Sequence, residues 1–256
     1  MAGLCWIAVT LALFLSTENT LAVVDVKKLA TIVYRIKGQY GGPGMFSLAV
    51  RMSNINQNLN TILQEVFRSD PGNNVKNTIN NNEVYTGNRV VAANEVYTGN
   101  RVVEAAKLLK KPGGGAEHAE SRVVDNLGNL INNRNNNDFL LFYVYASPCD
   151  EKCSSDTHPE SILQRIKTIH QWANYAVVFS KLFRPSSGEV ITEQQRRGAL
   201  EHLGTSVGLN NIYRCDIQTQ GRMQCTNCSN GGAVADYCVS DSSQTSSSSN
   251  QPSFSG

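Results

Sequence analysis

The stretch DFLLFYVYASPCDEKC, residues 138–153, runs from an unbroken apolar segment straight into proline and two cysteines. Its first eight residues lack the apolar–polar alternation of a strand with one wet face, so they predict a strand buried on both sides. Such strands belong to sheets covered above and below by helices. YAVVFSKLF at 175–183 is a second run of this kind and NIYRCDI at 211–217 a third, while 159–172 and 192–203 have helical spacing. Apolar runs alternating with helices predict an α/β sandwich around a largely parallel sheet.

Upstream, residues 24–37 read as a helix with Leu29, Ile32 and Val33 on one side, closed by GGPG at 41–44. Phe46, Leu48 and Val50 alternate with smaller or polar neighbours, which is a strand signal, and 55–67 reads as a helix. Residues 70–82, DPGNNVKNTINNN, read as an asparagine-rich loop, and 117–131 as a helix. Between these lies a duplication: NEVYTGNRVV occupies 82–91 and again 94–103, so that 82–103 repeats with a period of twelve. Two copies are too few for a solenoid. Each reads as a small hairpin around Thr-Gly-Asn, and an even period returns every side chain to its own face of a strand. The expectation is a tolerated insertion in an edge hairpin, of which the fold needs one copy.

Residues 1–22 combine an apolar run at 4–15, a polar stretch and small residues Thr20 and Ala22, the layout of a signal peptide cleaved after Ala22. The run is shorter than the ~20 residues a membrane anchor needs, and no other stretch offers a span. The remaining chain is expected to be secreted. Its formal charge of +2 becomes +3 when the leader leaves with Glu18, a balance that permits a polyanionic partner without demanding one. Residues 240–256 are Ser-rich, almost free of apolar side chains, and expected to be disordered.

In an oxidising compartment the six cysteines beyond Cys5 read first as disulfides. Cys215, Cys225, Cys228 and Cys238, spaced C-x9-C-x2-C-x9-C, allow three pairings that spacing does not separate; a zinc knuckle is the alternative. Cys149 and Cys153 are four apart, as on one face of a helical turn, where a helix N-terminus would favour thiolate. The stretch GGGAEHAES at 113–121 adds His118. An imidazole and two thiolates would leave the fourth tetrahedral position of zinc open, the arrangement of a catalytic site. Such a site needs a carboxylate to move the proton of an attacking water, and Glu120 is at hand. A Cys149–Cys153 disulfide is the competing reading.

His-x-Glu followed by Pro-Cys-x2–4-Cys is the pattern of zinc-dependent nucleobase deaminases, and here HAE is followed after 27 residues by PCDEKC. Ser147-Pro148, FSKLFRP at 179–185 and QQRRGALEHL at 194–203 resemble the AID/APOBEC group of that superfamily. With its leader, the chain is similar to the secreted AID/APOBEC-like deaminases of fishes and other vertebrates, over roughly residues 45–217.

The resemblance implies a cytidine-deaminase-like three-layer α/β/α sandwich around a five-stranded mixed sheet. It sets a deaminase domain at 23–217, followed by a cysteine-containing segment at 218–239. His118, Cys149 and Cys153 would bind Zn2+, and Glu120 would carry protons from water to N3 of cytosine and then to the leaving amine, giving uracil and ammonia. Ser147 and Phe183 would line the base site, with Lys181 and Arg184 contacting phosphate. Asn100 is the nearest base-binding asparagine, with Asn88 its rival through the duplication. Ala146 stands where DNA-acting members often carry tryptophan. The implied substrate is cytosine in single-stranded DNA or RNA. A free nucleoside substrate and a catalytically silent binding module are the alternatives.

Overall fold

The computed structural model of the protein describes residues 24–42, 44–97, 116–150, 152–185, 188–218 and 221–240. In chain order these form α1 (Val26–Tyr40), β1 (Phe46–Met52), α2 (Leu59–Ser69), α3 (Gly72–Asn80), β2 (Tyr85–Thr86), β3 (Val90–Asn94), β4 (Val96–Tyr97), β5 (Ala116–Glu117), α4 (Ala119–Val124), α5 (Gly128–Asn132) and β6 (Phe139–Ala146). After a 3-10 helix at Arg165–Gln171 come β7 (Asn174–Lys181), α6 (Glu193–Val207), β8 (Ile212–Ile217), β9 (Met223–Asn227), β10 (Ser229–Asn230) and β11 (Ala233–Val234).

The main sheet has the order β2-β3-β1-β6-β7-β8-β9. Strand alternation sorts its side chains into two cores. Leu48, Val50, Leu141, Tyr143 and Val178 pack against α1, α2 and α3, and Ala49, Leu140, Phe142, Val177 and Phe179 against α4, α5, the 3-10 helix and α6. The expected α/β sandwich is therefore present. The sheet is mixed, but with seven strands instead of five, and only the β6–β7 and β7–β8 pairings are parallel. The β2–β3 and β8–β9 edge hairpins are antiparallel, and so are the interior β3–β1 and β1–β6 pairings, so the expectation of a largely parallel sheet holds only from β6 to β8 among the described residues.

Three local expectations also change. The asparagine-rich stretch is not a loop, because Val75 and Ile79, four apart and fully buried, fix it as α3 despite poor helix formers around them. The helix expected over 117–131 begins at Ala119 and breaks between Val124 and Gly128. The helix expected over 159–172 shrinks to the 3-10 segment, where Ile166 and Ile169, three apart, are both buried, as three residues per turn requires. At α6 the sequence reading holds at its start: Thr192 and Gln195 form a capping box.

The first copy of the repeat builds the β2–β3 hairpin, with Tyr85 opposite Ala92 and Thr86 opposite Val91. Its turn rests on Asp70, whose carboxylate accepts from the N–H groups of Asn88 and Arg89 and from Tyr85 Oη–H. Gly87 is required there, since a Cβ would run into Asp70 Oδ1. The second copy begins differently: Glu95 N–H donates to Met45 O, and Val96 pairs with Glu117 as β4 meets β5. The opening residues of the second copy, 94–97, thus also contribute structure, and 98–103 lie outside the described residues.

Candidate metal centre

Parallel pairing sets Ala146 of β6 beside Lys181 of β7, so the chains leaving these strands emerge together at one end of the sheet. They are then tied: Ser147 N–H donates to Lys181 O at 2.7 Å, and Phe183 N–H to Ser147 Oγ at 3.0 Å. Two residues on is Cys149. Cys149 and Cys153 do not lie in an assigned helix; Ser154 N–H and Ser154 Oγ–H both donate to Cys149 O. The sulfurs still come together, at 3.0 Å, with Cys153 N–H directed at Cys149 Sγ. From α6, His202 Nδ1 holds Ser154 O at 2.9 Å.

His118 comes from the opposite side, on the chain between β5 and α4. It is the N-cap of α4, in extended conformation, which resolves a geometric difficulty in the sequence: residues two apart in a regular helix do not face one another, whereas His118 lies outside the helix. Its Nδ1 is 3.4 Å from Glu120 Oε1, 3.0 Å from Cys153 Sγ and 3.8 Å from Cys149 Sγ. Glu120 Oε1 is in turn 2.8 Å from Cys153 Sγ. The donor atoms of His118, Cys149 and Cys153 lie within 4.8 Å of one another, a group that could hold a metal ion. The donor set suits zinc, which takes imidazole and thiolate tetrahedrally, and three protein donors leave one position over.

Burial and mutual charge set the protonation of the cluster. Burial alone would lower the His118 imidazole, but hydrogen bonds with Cys149 and Glu120 and their charges push it up to about 10. Cys149 is held down to about 5, chiefly by its hydrogen bond with Cys153, against burial and with help from His118. Cys153 is raised well above the ordinary thiol value by that same bond and by burial beside Glu120. The buried Glu120 would be raised by desolvation, yet His118 and Cys153 bring it below the usual carboxyl value.

The other residues named from sequence distribute unevenly. Phe183 lies against the cluster, its ring centroid 6.5 Å from that of His118. Ser147 is buried, its hydroxyl oxygen engaged by Phe183 N–H. Lys181, half exposed at the end of β7, pairs with Asp216 at 2.6 Å. Asn100 lies outside the described residues, as do the glycines at 113–115 and the leader. Asn88 sits where β6 starts, its carbonyl held by Arg51, which also pairs with Asp138 at 2.7 Å. β6 ends eight residues later, about 26 Å away at strand rise, so Asn88 is removed from the cluster. Glu117 is in β5, not in the first turn of α4, and reaches Arg122 Nε at 3.8 Å.

Two supports went unseen in the sequence. Arg122, two residues past Glu120, donates to Asn94 O and Asn82 O, each at 2.7 Å, and so bridges the first residues of both repeat copies to α4. Arg165 joins Asp125 and Ser121 of the same helix region. Neither has a local sequence signature, because the hydrogen bonds that bridge the repeat and the helix go to backbone oxygens or to side chains 40 and more residues away. The last four cysteines form Cys215–Cys225 and Cys228–Cys238, while Cys149 and Cys153 remain free thiols. That excludes both the knuckle and a Cys149–Cys153 bridge in this structure.

A mixed sheet between helical layers, carrying this cluster where β6 ends, defines a deaminase-like α/β protein. The family model for Secreted Novel AID/APOBEC-like Deaminase 1 matches residues 26–242, and the chain belongs to that family. No curated protein and no solved structure matches it. No helix among the described residues is long and apolar enough to cross a membrane.

Proposed function

We propose that the protein is a secreted zinc-dependent hydrolase that converts cytosine to uracil in single-stranded DNA or RNA. The observation that carries this reading is Glu120, a carboxylate in contact with both the imidazole and a thiol of a three-donor cluster. His118, Cys149 and Cys153 would hold zinc. When bound, zinc supplies a Lewis acid and a water of lowered pKa. Glu120, in contact with His118 and Cys153, would take a proton from a water adding to C4. It would deliver that proton to N3, then take the proton of the new C4 hydroxyl and pass it to the amine; as the C4–N bond breaks, C4=O forms, ammonia departs and uracil remains. Phe183 offers a ring for an extruded base, with Ser147 fixing its loop and Lys181 at the edge for a phosphate. Secretion is supported by the leader pattern at 1–22, by two disulfides and by the family's name.

The test is deamination of a cytosine-containing oligonucleotide by purified protein beside Glu120→Gln, with zinc measured in both. Wild type should carry about one zinc per chain and deaminate; Glu120→Gln should keep its zinc and lose activity by about 100-fold or more. Turnover of cytidine without any of oligonucleotide would overturn the polynucleotide substrate. Zinc without turnover of either would make the protein a binding module.

A further inference from the structure

A second site lies on the other face of the sheet, independent of the metal centre. Between α1, α2 and the β8–β9 hairpin is a cavity of about 530 Å3, within the ~300–1,000 Å3 range of small-ligand sites. Its walls are partly apolar. Four large hydrophobic side chains among the described residues are exposed, and two of them, Tyr34 and Ile217, line this cavity together with half-buried Phe67. Its cations are Arg35 and Lys37. Arg35 has no hydrogen bond or ion pair among the described residues, although it is half-buried. Lys37 is fixed, donating to Ser180 Oγ at 3.0 Å and standing 5.3 Å from the Tyr143 ring centroid, with ammonium hydrogens to spare. Asp216, whose charge acts on Lys37, is already bonded to Lys181.

Gly38 adds an independent observation. A glycine inside a helix costs about 1 kcal/mol relative to alanine, yet a Cβ at Gly38 would meet nothing within 4 Å. Packing does not require glycine there, so a side chain placed at 38 would project into the open space of the cavity. Two cations beside an aromatic wall, exposed at Tyr34 and half-buried at Phe67, call for an anion carried on a planar apolar body.

We propose that this cavity binds a nucleotide, its phosphate paired with Arg35 and Lys37 and its base against Tyr34 and Phe67. The same chemistry comes from a free nucleotide or from one unit of a single strand.

Thymine probes test this, because thymine has no exocyclic amine and so is no substrate for the proposed reaction. Calorimetry on zinc-loaded full-length protein would use thymidine 5′-monophosphate, thymidine and oligothymidylate. The monophosphate should bind about tenfold or more tighter than thymidine. Gly38→Glu, which fills the cavity with negative charge, and Arg35→Ala should each weaken it by about tenfold or more, while Glu120→Gln leaves it unchanged. Oligothymidylate binding tighter than the monophosphate identifies a strand as the source; equal or weaker binding identifies the free nucleotide. Equal affinity for thymidine and its monophosphate, affinity unmoved by Arg35→Ala, or no binding of either phosphorylated probe overturns the proposal. Should Gly38→Glu fail to give wild-type circular dichroism, Arg35→Ala alone decides. Because Glu120 and cytosine take no part, the result is independent of whether the metal centre deaminates.

Discussion

Cys149, Cys153 and His118 share protons before any metal arrives. With Cys149 at about 5, His118 at about 10 and Cys153 well above the usual thiol, the cluster near neutrality is one thiolate, one imidazolium and one thiol. A metal needs all three donors deprotonated, so its entry expels two protons, from His118 and Cys153. Zinc affinity should therefore rise with pH, by up to about 100-fold per unit between roughly pH 5 and 9, and more steeply below, where Cys149 is protonated too. Chelator competition at pH 6 and 7 measures this; a pH-independent affinity would show that the cluster is not the zinc site. His202 acts on the same centre through backbone alone, by holding Ser154 O beside the thiols. His202→Ala should lower zinc affinity by about tenfold or more with the fold intact by circular dichroism, as loss of outer-shell support does.

The repeat shows how far elements can be read from residues. NEVYTGNRVV predicts a hairpin, and the first copy makes one; identical letters in the second copy start a different pairing, because the residues downstream of the two copies differ. After Val91 come Ala92 and Ala93, both buried in β3 between β2 and β1, whereas after Val103 comes Glu104. Deleting 92–103, which leaves one intact copy, sets Glu104 at the register of Ala92, opposite Leu48 and Tyr85. An unpaired carboxylate there should cost about 3 kcal/mol or more, read as a lower urea midpoint, and restoring alanine at that position should recover part of it. An unchanged midpoint would mean that one copy is enough. The same logic marks the limits of the sequence reading elsewhere. The apolar runs gave β6, β7 and β8 within two residues, and His-x-Glu with Pro-Cys-x3-Cys gave the cluster, because each signal is local. α3 was lost since two buried apolar positions, Val75 and Ile79, outweigh the glycine, asparagines and threonine around them, and the bridging role of Arg122 was lost since its two hydrogen bonds go to carbonyl oxygens, which no side-chain pattern reveals.

At the scale of the whole molecule, the resemblance read from the sequence ended near residue 217, but the family match runs to 242 and the sheet too continues past 217. β9 pairs with β8 along its length, α1 packs on it, and Cys215–Cys225 cross-links the two strands. Beyond it, Arg196 and Arg197 of α6 and Arg214 of β8 donate to the carbonyls of Val239, Val234 and Tyr237, closing the Cys228–Cys238 loop against the face that bears the metal centre. The arginines of QQRRGALEHL are thus committed to the chain's own backbone. Two variants separate the contributions of strand and loop. Cys228→Ala with Cys238→Ala should fold and lose about 2–3 kcal/mol in urea denaturation, the usual effect of a short disulfide loop. Truncation after Ile217 should leave no cooperative transition, because it exposes β8 as an unpaired edge and uncovers α1, whose Leu29, Ile32, Val33 and Ile36 are fully buried. A truncated chain that unfolds cooperatively with the wild-type midpoint would make 217 a true domain boundary, and β9 an appendage to a sheet that stands without it.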